Sequence, residues 1–135
     1  MAGVRRFQDL RAWQLSTALC VAVHEMTESG RAFDDERFRE QLRDAAKSAP
    51  ALIAEGFARY TAREFVRYLR MARGELAEVQ NALEVGGRMH YFPPAFLEQA
   101  KPLADQAMAT TTALLKSKVR ELEHAPKRHS KGCGT

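Results

Sequence analysis

One apolar stripe, between residues 65 and 83, constrains the fold of this 135-residue chain more than any other feature. Its members follow one another at steps of four and three, which places them on one face of an α-helix and is typical of left-handed helical bundles. Thr61 and Glu64 form a capping box that predicts the start of this helix, and Gly86-Gly87 predicts its end. The stripe consists of Phe65, Leu69, Ala72, Leu76, Val79 and Leu83.

The segment before it is predicted to be helical from about Asp35 to about Ala58. Pro50 lies inside this helix and lacks the N–H that would bond to the carbonyl of Ala46, so we expect a bend there. Several alanines surround the bend, and their small side chains should let another helix approach closely. The apolar face consists of Phe38, Leu42, Ala45, Ala49, Leu52, Ile53 and Phe57.

The first helix is predicted from Phe7 to Glu28, with Asp9 as its N-cap or first-turn acid. It ends at Ser29-Gly30, a turn in which glycine suits a left-handed backbone conformation. Its candidate core positions are Leu10, Trp13, Leu19, Cys20, Val23 and Met26.

The last helix is predicted to open at Pro93-Pro94. Pro102 leaves two alternatives, because the helix either begins near Lys101 or is kinked at Pro102. Its inward face consists of Phe96, Ala100, Leu103, Ala107, Thr110 and Leu114. No segment alternates as a β-strand does, so the sequence predicts an all-α, up-down-up-down four-helix bundle.

The charge of the chain is concentrated at its end. Residues 1–115 contain 15 basic and 15 acidic residues, whereas residues 116–135 contain 6 basic and 2 acidic ones. We therefore expect a bundle over residues 1–122 and a disordered, basic tail over residues 123–135. The basic isoelectric point reflects the tail, so it does not by itself indicate nucleic-acid binding by the folded part.

The composition favours a cytoplasmic protein with no membrane contact. No apolar run approaches the roughly 20 residues that cross a bilayer, and the N-terminal arginines are not followed by the apolar core of a signal peptide. Cys20 lies among apolar residues and Cys133 in the tail, so the two do not form a disulfide framework.

No pattern in the sequence indicates catalysis. Glu121 and His124 have the Glu-x-x-His spacing of di-iron bundles, but those proteins need two such motifs and further glutamates. His24-Glu25 is not followed by the second histidine of a zinc protease, and no glycine-rich phosphate loop is present. We therefore expect no catalytic residue, no cofactor and no metal site.

Charged residues flank the apolar faces of the two central helices. One interpretation is that they form exposed ion pairs, which contribute about 0–1 kcal/mol each. The alternative is a polar groove that recognises a partner, with Arg43, Arg59 and Arg73 facing an anion. The flanking residues are Arg43, Lys47 and Glu55 on one helix and Arg73, Glu75 and Glu78 on the other.

A row of arginines is predicted on the outer side of the third helix. Arg63, Arg67 and Arg70 follow the i, i+4, i+7 spacing, which suits either contact with a phosphate backbone or a solvated face. Tyr60 and Tyr68 are close enough in sequence to supply stacking surfaces, although Tyr68 fits a buried position equally well. The predicted partner or nucleic-acid face is Arg43, Lys47, Glu55, Arg59, Arg63, Arg67, Arg70, Arg73 and Glu78.

From about residue 7 to residue 115 the chain resembles the bacterial four-helix-bundle family first noticed in proteins encoded by intervening sequences of 23S ribosomal RNA genes. The resemblance implies a non-enzymatic bundle that assembles as a ring-shaped homopentamer. Resemblance to a related branch of this family implies a further role, that of a retroelement accessory protein that binds a reverse transcriptase and nucleic acid. The motifs that carry it are Phe7-x-x-Leu10-x-x-Trp13-Gln14, Gln41-Leu42-Arg43-x-Ala45-x-x-Ser48-x-Pro50, Ile53-Ala54-Glu55-Gly56 with Arg59, Glu64-Phe65-x-x-Tyr68-Leu69 and Ala72-Arg73-Gly74-x-Leu76-x-Glu78.

The chain departs from this family pattern at Ala49, Leu52 and Glu75. Leu52 replaces a polar asparagine, and Glu75 places a negative charge next to Arg73, which weakens the implied nucleic-acid role. Two hypotheses follow. The first is an oligomeric binding or scaffolding protein that contacts RNA or DNA through its arginine-rich face. The second is an adaptor for a protein partner, such as a reverse transcriptase, without nucleic-acid contact of its own.

Overall fold

A computed structural model describes residues 3–124, and all regular secondary structure in that range is helical. A 3-10 helix at Phe7–Asp9 precedes five α-helices. They are α1 (Arg11–Met26), α2 (Gly30–Asp34), α3 (Glu36–Ala58), α4 (Ala62–Arg88) and α5 (Pro94–His124). The predicted all-α class is confirmed. No helix in the described range is long and apolar enough to span a membrane.

The four long helices pack in a closed cycle. Helix α1 contacts α3 and α5, and α4 contacts the same two helices from the other side. Two apolar clusters fill the space between them, one including Leu19, Leu42 and Leu76 and the other including Ile53, Leu69 and Leu115. The short α2 packs on α3 and buries Ala32.

The first helix differs from its prediction at both ends. The chain forms the 3-10 turn first, and Leu10, extended and 1% exposed, precedes α1 as its N-cap residue without a side-chain cap. Asp9 is therefore not the N-cap, and it lies 3.8 Å from Arg6 in an exposed ion pair. At the other end, Gly30 has a φ of 78°, as the turn prediction requires, but it opens α2, a helix too short for the periodicity to indicate.

Helix α3 begins within one residue of the predicted start, because Asp35 caps it. The Asp35 carboxylate accepts a hydrogen bond from the Phe38 N–H at 3.1 Å and another from the Tyr91 hydroxyl at 2.7 Å. These two bonds lower the pKa of Asp35, with that from Tyr91 the stronger cause. The helix continues past Pro50 and ends at Ala58.

Helix α4 confirms the sequence pattern most fully. All six residues of the predicted stripe are buried, and the Thr61 hydroxyl caps the helix by accepting a hydrogen bond from the Glu64 N–H at 3.2 Å. Helix α4 ends at Arg88, one residue beyond the predicted Gly86-Gly87 stop, so both glycines lie in its last turn. Gly86 also allows close packing, because a Cβ there would lie 2.5 Å from the Phe92 ring.

Helix α5 begins at Pro94 and contains Pro102, so a start near Lys101 is excluded. Its buried face agrees with the prediction at Ala100, Ala107 and Leu114. Ala104 and Thr111 are also buried, whereas the neighbouring predicted residues Leu103 and Thr110 are half-buried at the edge. Small residues at the centre of the face let α5 pack closely against α1 and α4.

The end of α5 lies two residues beyond the predicted domain boundary at residue 122. Residues 123 and 124 belong to the helix. The rest of the predicted tail, including Cys133, lies outside the described residues.

Candidate functional site

The junction between α3 and α4 presents charged and aromatic side chains at one end of the bundle. Arg59 is the C-cap residue of α3, and Thr61 caps α4. Between them Tyr60 has a φ of 77°, in the left-handed region that bulky residues rarely adopt. Its side chain is 98% exposed, so this conformation turns the ring into solvent.

Behind this junction Glu55, Arg59 and Tyr68 form a network within the chain. One Glu55 carboxylate oxygen accepts hydrogen bonds from the Arg59 guanidinium at 2.9 Å and from the Tyr68 hydroxyl at 3.2 Å. The Arg59 guanidinium also lies 5.2 Å from the centroid of the Tyr68 ring. The bond from Arg59 is the main reason that the pKa of Glu55 is lowered and that of Arg59 raised. Arg59 and Glu55 thus pair with each other at the end of α3, and their contacts with Tyr68 join that end to α4.

The predicted row of arginines is present on α4. Arg63, Arg67 and Arg70, here called the arginine ridge, are all exposed and span about 10 Å along the helix axis. Arg67 lies 3.7 Å from the Glu64 carboxylate and 5.7 Å from the centroid of the Tyr68 ring. Within residues 3–124, Arg63 and Arg70 have no ion-pair or hydrogen-bond partner, so their donors face solvent.

Arg43 is used within the fold. Its guanidinium donates hydrogen bonds to the hydroxyl of Thr27 at 2.8 Å and to the Thr27 carbonyl at 3.2 Å. The Thr27 hydroxyl in turn donates to the Val23 carbonyl at 2.8 Å. Arg43 therefore satisfies the carbonyl of Thr27, the C-cap residue of α1, and joins that end of α1 to α3.

The remaining predicted residues separate into two groups. Lys47 and Arg73 are exposed and, within the described range, have no hydrogen-bond or ion-pair partner. Glu78 lies with Glu75 and Asp44 in an acidic groove of about 510 Å³ between α3 and α4, which we call the acidic groove. Partial burial, followed by the charge of Glu78 and a hydrogen bond between the two glutamates, raises the pKa of Glu75.

Asp44 was not predicted. Asp44 is far in sequence from Glu75 and Glu78, so the sequence does not indicate that the three carboxylates line one groove. The packing of α3 on α4 brings them together. Of the two tyrosines that the sequence offers as stacking surfaces, Tyr68 is buried and hydrogen-bonded to Glu55, which is the alternative open to it, while Tyr60 is in solvent.

Two surfaces of α4 carry charges of opposite sign. The arginine ridge is exposed on one, and Glu75 and Glu78 line the acidic groove toward α3 on the other. An anionic ligand is attracted by the first surface and repelled by the second. Among the described residues, no group of three or more His, Cys, Asp or Glu is placed to hold a metal ion.

In a comparison with known families, residues 8–113 match the family described as "23S rRNA-intervening sequence protein". A comparison with curated proteins finds none that matches the chain significantly.

Proposed function

Since the chain belongs to the 23S rRNA-intervening sequence protein family, we propose that it is a non-catalytic, cytoplasmic binding protein that contacts RNA or DNA through the arginine ridge. In this proposal the four long helices form an up-down-up-down bundle. The short links between consecutive helices and their cyclic packing support that topology.

The observation that carries the proposal is that two of the three ridge arginines, Arg63 and Arg70, are exposed and unpaired within residues 3–124. Arg43 and Arg59 serve the fold of this chain through hydrogen bonds to its own residues. Arg63 and Arg70 have no such partner among the residues described, and Glu64, next to Arg63, pairs with Arg67 instead. Guanidinium groups spaced along one helix suit a ligand with repeated phosphates.

Titration of a labelled RNA with the full chain tests this proposal. Replacing the ridge by Arg63→Gln, Arg67→Gln and Arg70→Gln together should weaken binding strongly at low salt. Arg88→Gln is the matched control, since Arg88 is an exposed arginine at the opposite end of the same helix. Equal affinity of the triple variant and the wild type, or no binding of RNA or DNA by the wild type, would refute the proposal.

We further propose that the protein is a homo-oligomer. The expected form is the homopentamer that the family resemblance implies. The acidic groove supports this, because Asp44 and Glu78 have no basic partner in residues 3–124 and the exposed Val85 lies beside them. Light scattering should give about five times the 15.2 kDa of one chain. A single chain at micromolar concentration would contradict it.

The acidic groove also favours a second candidate function, that of an adaptor for a basic segment of another protein such as a reverse transcriptase. Opposite charges across such an interface would steer association. Pull-down from the native host with wild type and with a Glu75→Gln, Glu78→Gln variant separates the two functions. An adaptor loses its protein partner in the groove variant and binds no RNA.

A further inference from the structure

Tyr60 differs from the other two tyrosines of the chain. Tyr68 is 7% exposed and donates a hydrogen bond to Glu55, and Tyr91 is half-buried and donates one to Asp35. Tyr60 is 98% exposed and has no side-chain partner within residues 3–124. Its ring therefore contributes nothing visible to the packing of the bundle.

The backbone at Tyr60 makes the aromatic side chain more unexpected. At a φ of 77° glycine or asparagine is the residue that a turn ordinarily carries, because a Cβ is disfavoured there. The link between α3 and α4 would form as well or better without the ring. An aromatic group that occupies a disfavoured backbone conformation and is almost fully exposed among residues 3–124 points to a contact outside the bundle.

The surroundings of Tyr60 indicate the chemistry of that contact. Arg63, the first member of the arginine ridge, follows three residues later at the same end of α4. Tyr60 also lines a cleft of about 190 Å³ together with Phe57, Phe65 and the ion pair of Lys118 and Glu121, whose charges offset each other. Cations along a helix next to a free aromatic face form the combination that proteins use for single-stranded nucleic acid.

We propose that Tyr60 stacks on an unpaired nucleobase while the arginine ridge contacts the phosphates of the same strand, so that the ligand is single-stranded RNA or DNA. The inference rests on the proposed function and deepens it. In a duplex the faces of the bases are already stacked on one another, so a ring in the position of Tyr60 gains a partner only from a single strand or an end. The ridge alone would not distinguish the two forms.

The test compares Tyr60→Gly with Tyr60→Trp in the full chain. Tyr60→Gly removes the ring and suits the left-handed backbone, so the bundle is retained. Tyr60→Trp keeps a stacking face under the same backbone constraint. The probes are a labelled single-stranded RNA of about 12 nucleotides, its duplex, and an abasic strand of equal length. Circular dichroism verifies the fold of each variant.

We expect the wild type to bind the single strand more tightly than the duplex or the abasic strand. Tyr60→Gly should weaken single-strand binding by about 5-fold to about 140-fold, the effect of losing one stacked base. The same variant should leave binding of the abasic strand and the dependence on salt unchanged, because the phosphate contacts remain. Tyr60→Trp should bind as the wild type does.

The outcomes distinguish the inference from the function on which it rests. If Tyr60→Gly binds the single strand as tightly as the wild type, or the duplex binds equally well, the stacking inference is wrong and phosphate contact by the ridge stands. If the wild type binds none of the probes, the proposed function itself fails. If the wild type binds none of the probes and an added protein partner is bound through Tyr60, the ring serves a protein contact and the stacking inference is wrong as well.

Discussion

Gly56 is the position at which the approach of α3 to α4 is most directly tested. A Cβ at residue 56 would lie 2.6 Å from the Cβ of Tyr68 and 3.0 Å from a ring carbon of Phe65. Carbon atoms pack best at about 3.5–4.0 Å, so Gly56→Ala forces the two helices apart by about 1 Å. The Tyr68 Cβ is fixed to the backbone of α4, and rotation of the side chain cannot relieve the contact.

The magnitude follows from two opposing effects. Overpacking of this kind costs about 1–3 kcal/mol, and alanine gains at most about 1 kcal/mol over glycine in a helix. Gly56 lies in the last turn of α3, where that gain is smallest. We therefore expect Gly56→Ala to lower the free energy of unfolding by about 1–2 kcal/mol.

Gly74→Ala is the matched control. Gly74 lies in the middle of α4, and a Cβ there has no atom within 4 Å. This substitution should raise the free energy of unfolding by about 0.8–1.0 kcal/mol. Urea unfolding followed by circular dichroism measures both variants. If Gly56→Ala is as stable as Gly74→Ala, the close contact between α3 and α4 does not exist as described.

Three further predictions concern the polar contacts. Arg43→Ala should lower the free energy of unfolding by about 1–2 kcal/mol, because two charge-assisted hydrogen bonds at the end of α1 are lost. The same substitution should leave RNA affinity unchanged, and weaker RNA binding by the folded variant would contradict this prediction. Tyr91→Phe should raise the pKa of Asp35, as seen by NMR titration. The folded-state pKa of Asp35 lies below its unfolded value. The loss of unfolding free energy in Tyr91→Phe should therefore be full above the unfolded pKa and should shrink as the pH falls through the folded pKa. A loss that does not change with pH would refute this prediction. Glu75→Gln should stabilise the protein at neutral pH, since the pKa of Glu75 is raised by folding, and urea unfolding should show that gain vanishing below the unfolded pKa.

The long helices could be predicted from the sequence because the spacing of their apolar residues reflects which side chains face the core. The α4 stripe and the Thr61 cap depend on residues close together in the chain, and both are confirmed. The close packing at Gly86 could not be predicted, because a Cβ there would lie 2.8 Å from the ring of Phe38, which belongs to α3. Local propensity contains no sign of such a contact.

The candidate site was only partly accessible to the same reasoning. Helical spacing correctly grouped the arginine ridge on one exposed face. It could not show that Arg43 bonds to Thr27, since the two residues belong to different helices. Nor could it decide whether Tyr68 is exposed or buried, because its burial depends on the packing of α3 against α4.

The most direct test of nucleic-acid contact by the ridge is the salt dependence of single-stranded RNA binding. Each arginine–phosphate contact contributes about 0.7 to the slope of log affinity against log salt. The slope of the wild type should therefore be steeper by about 2 than that of the Arg63→Gln, Arg67→Gln, Arg70→Gln variant. Identical slopes would show that the RNA is held elsewhere and would contradict the account.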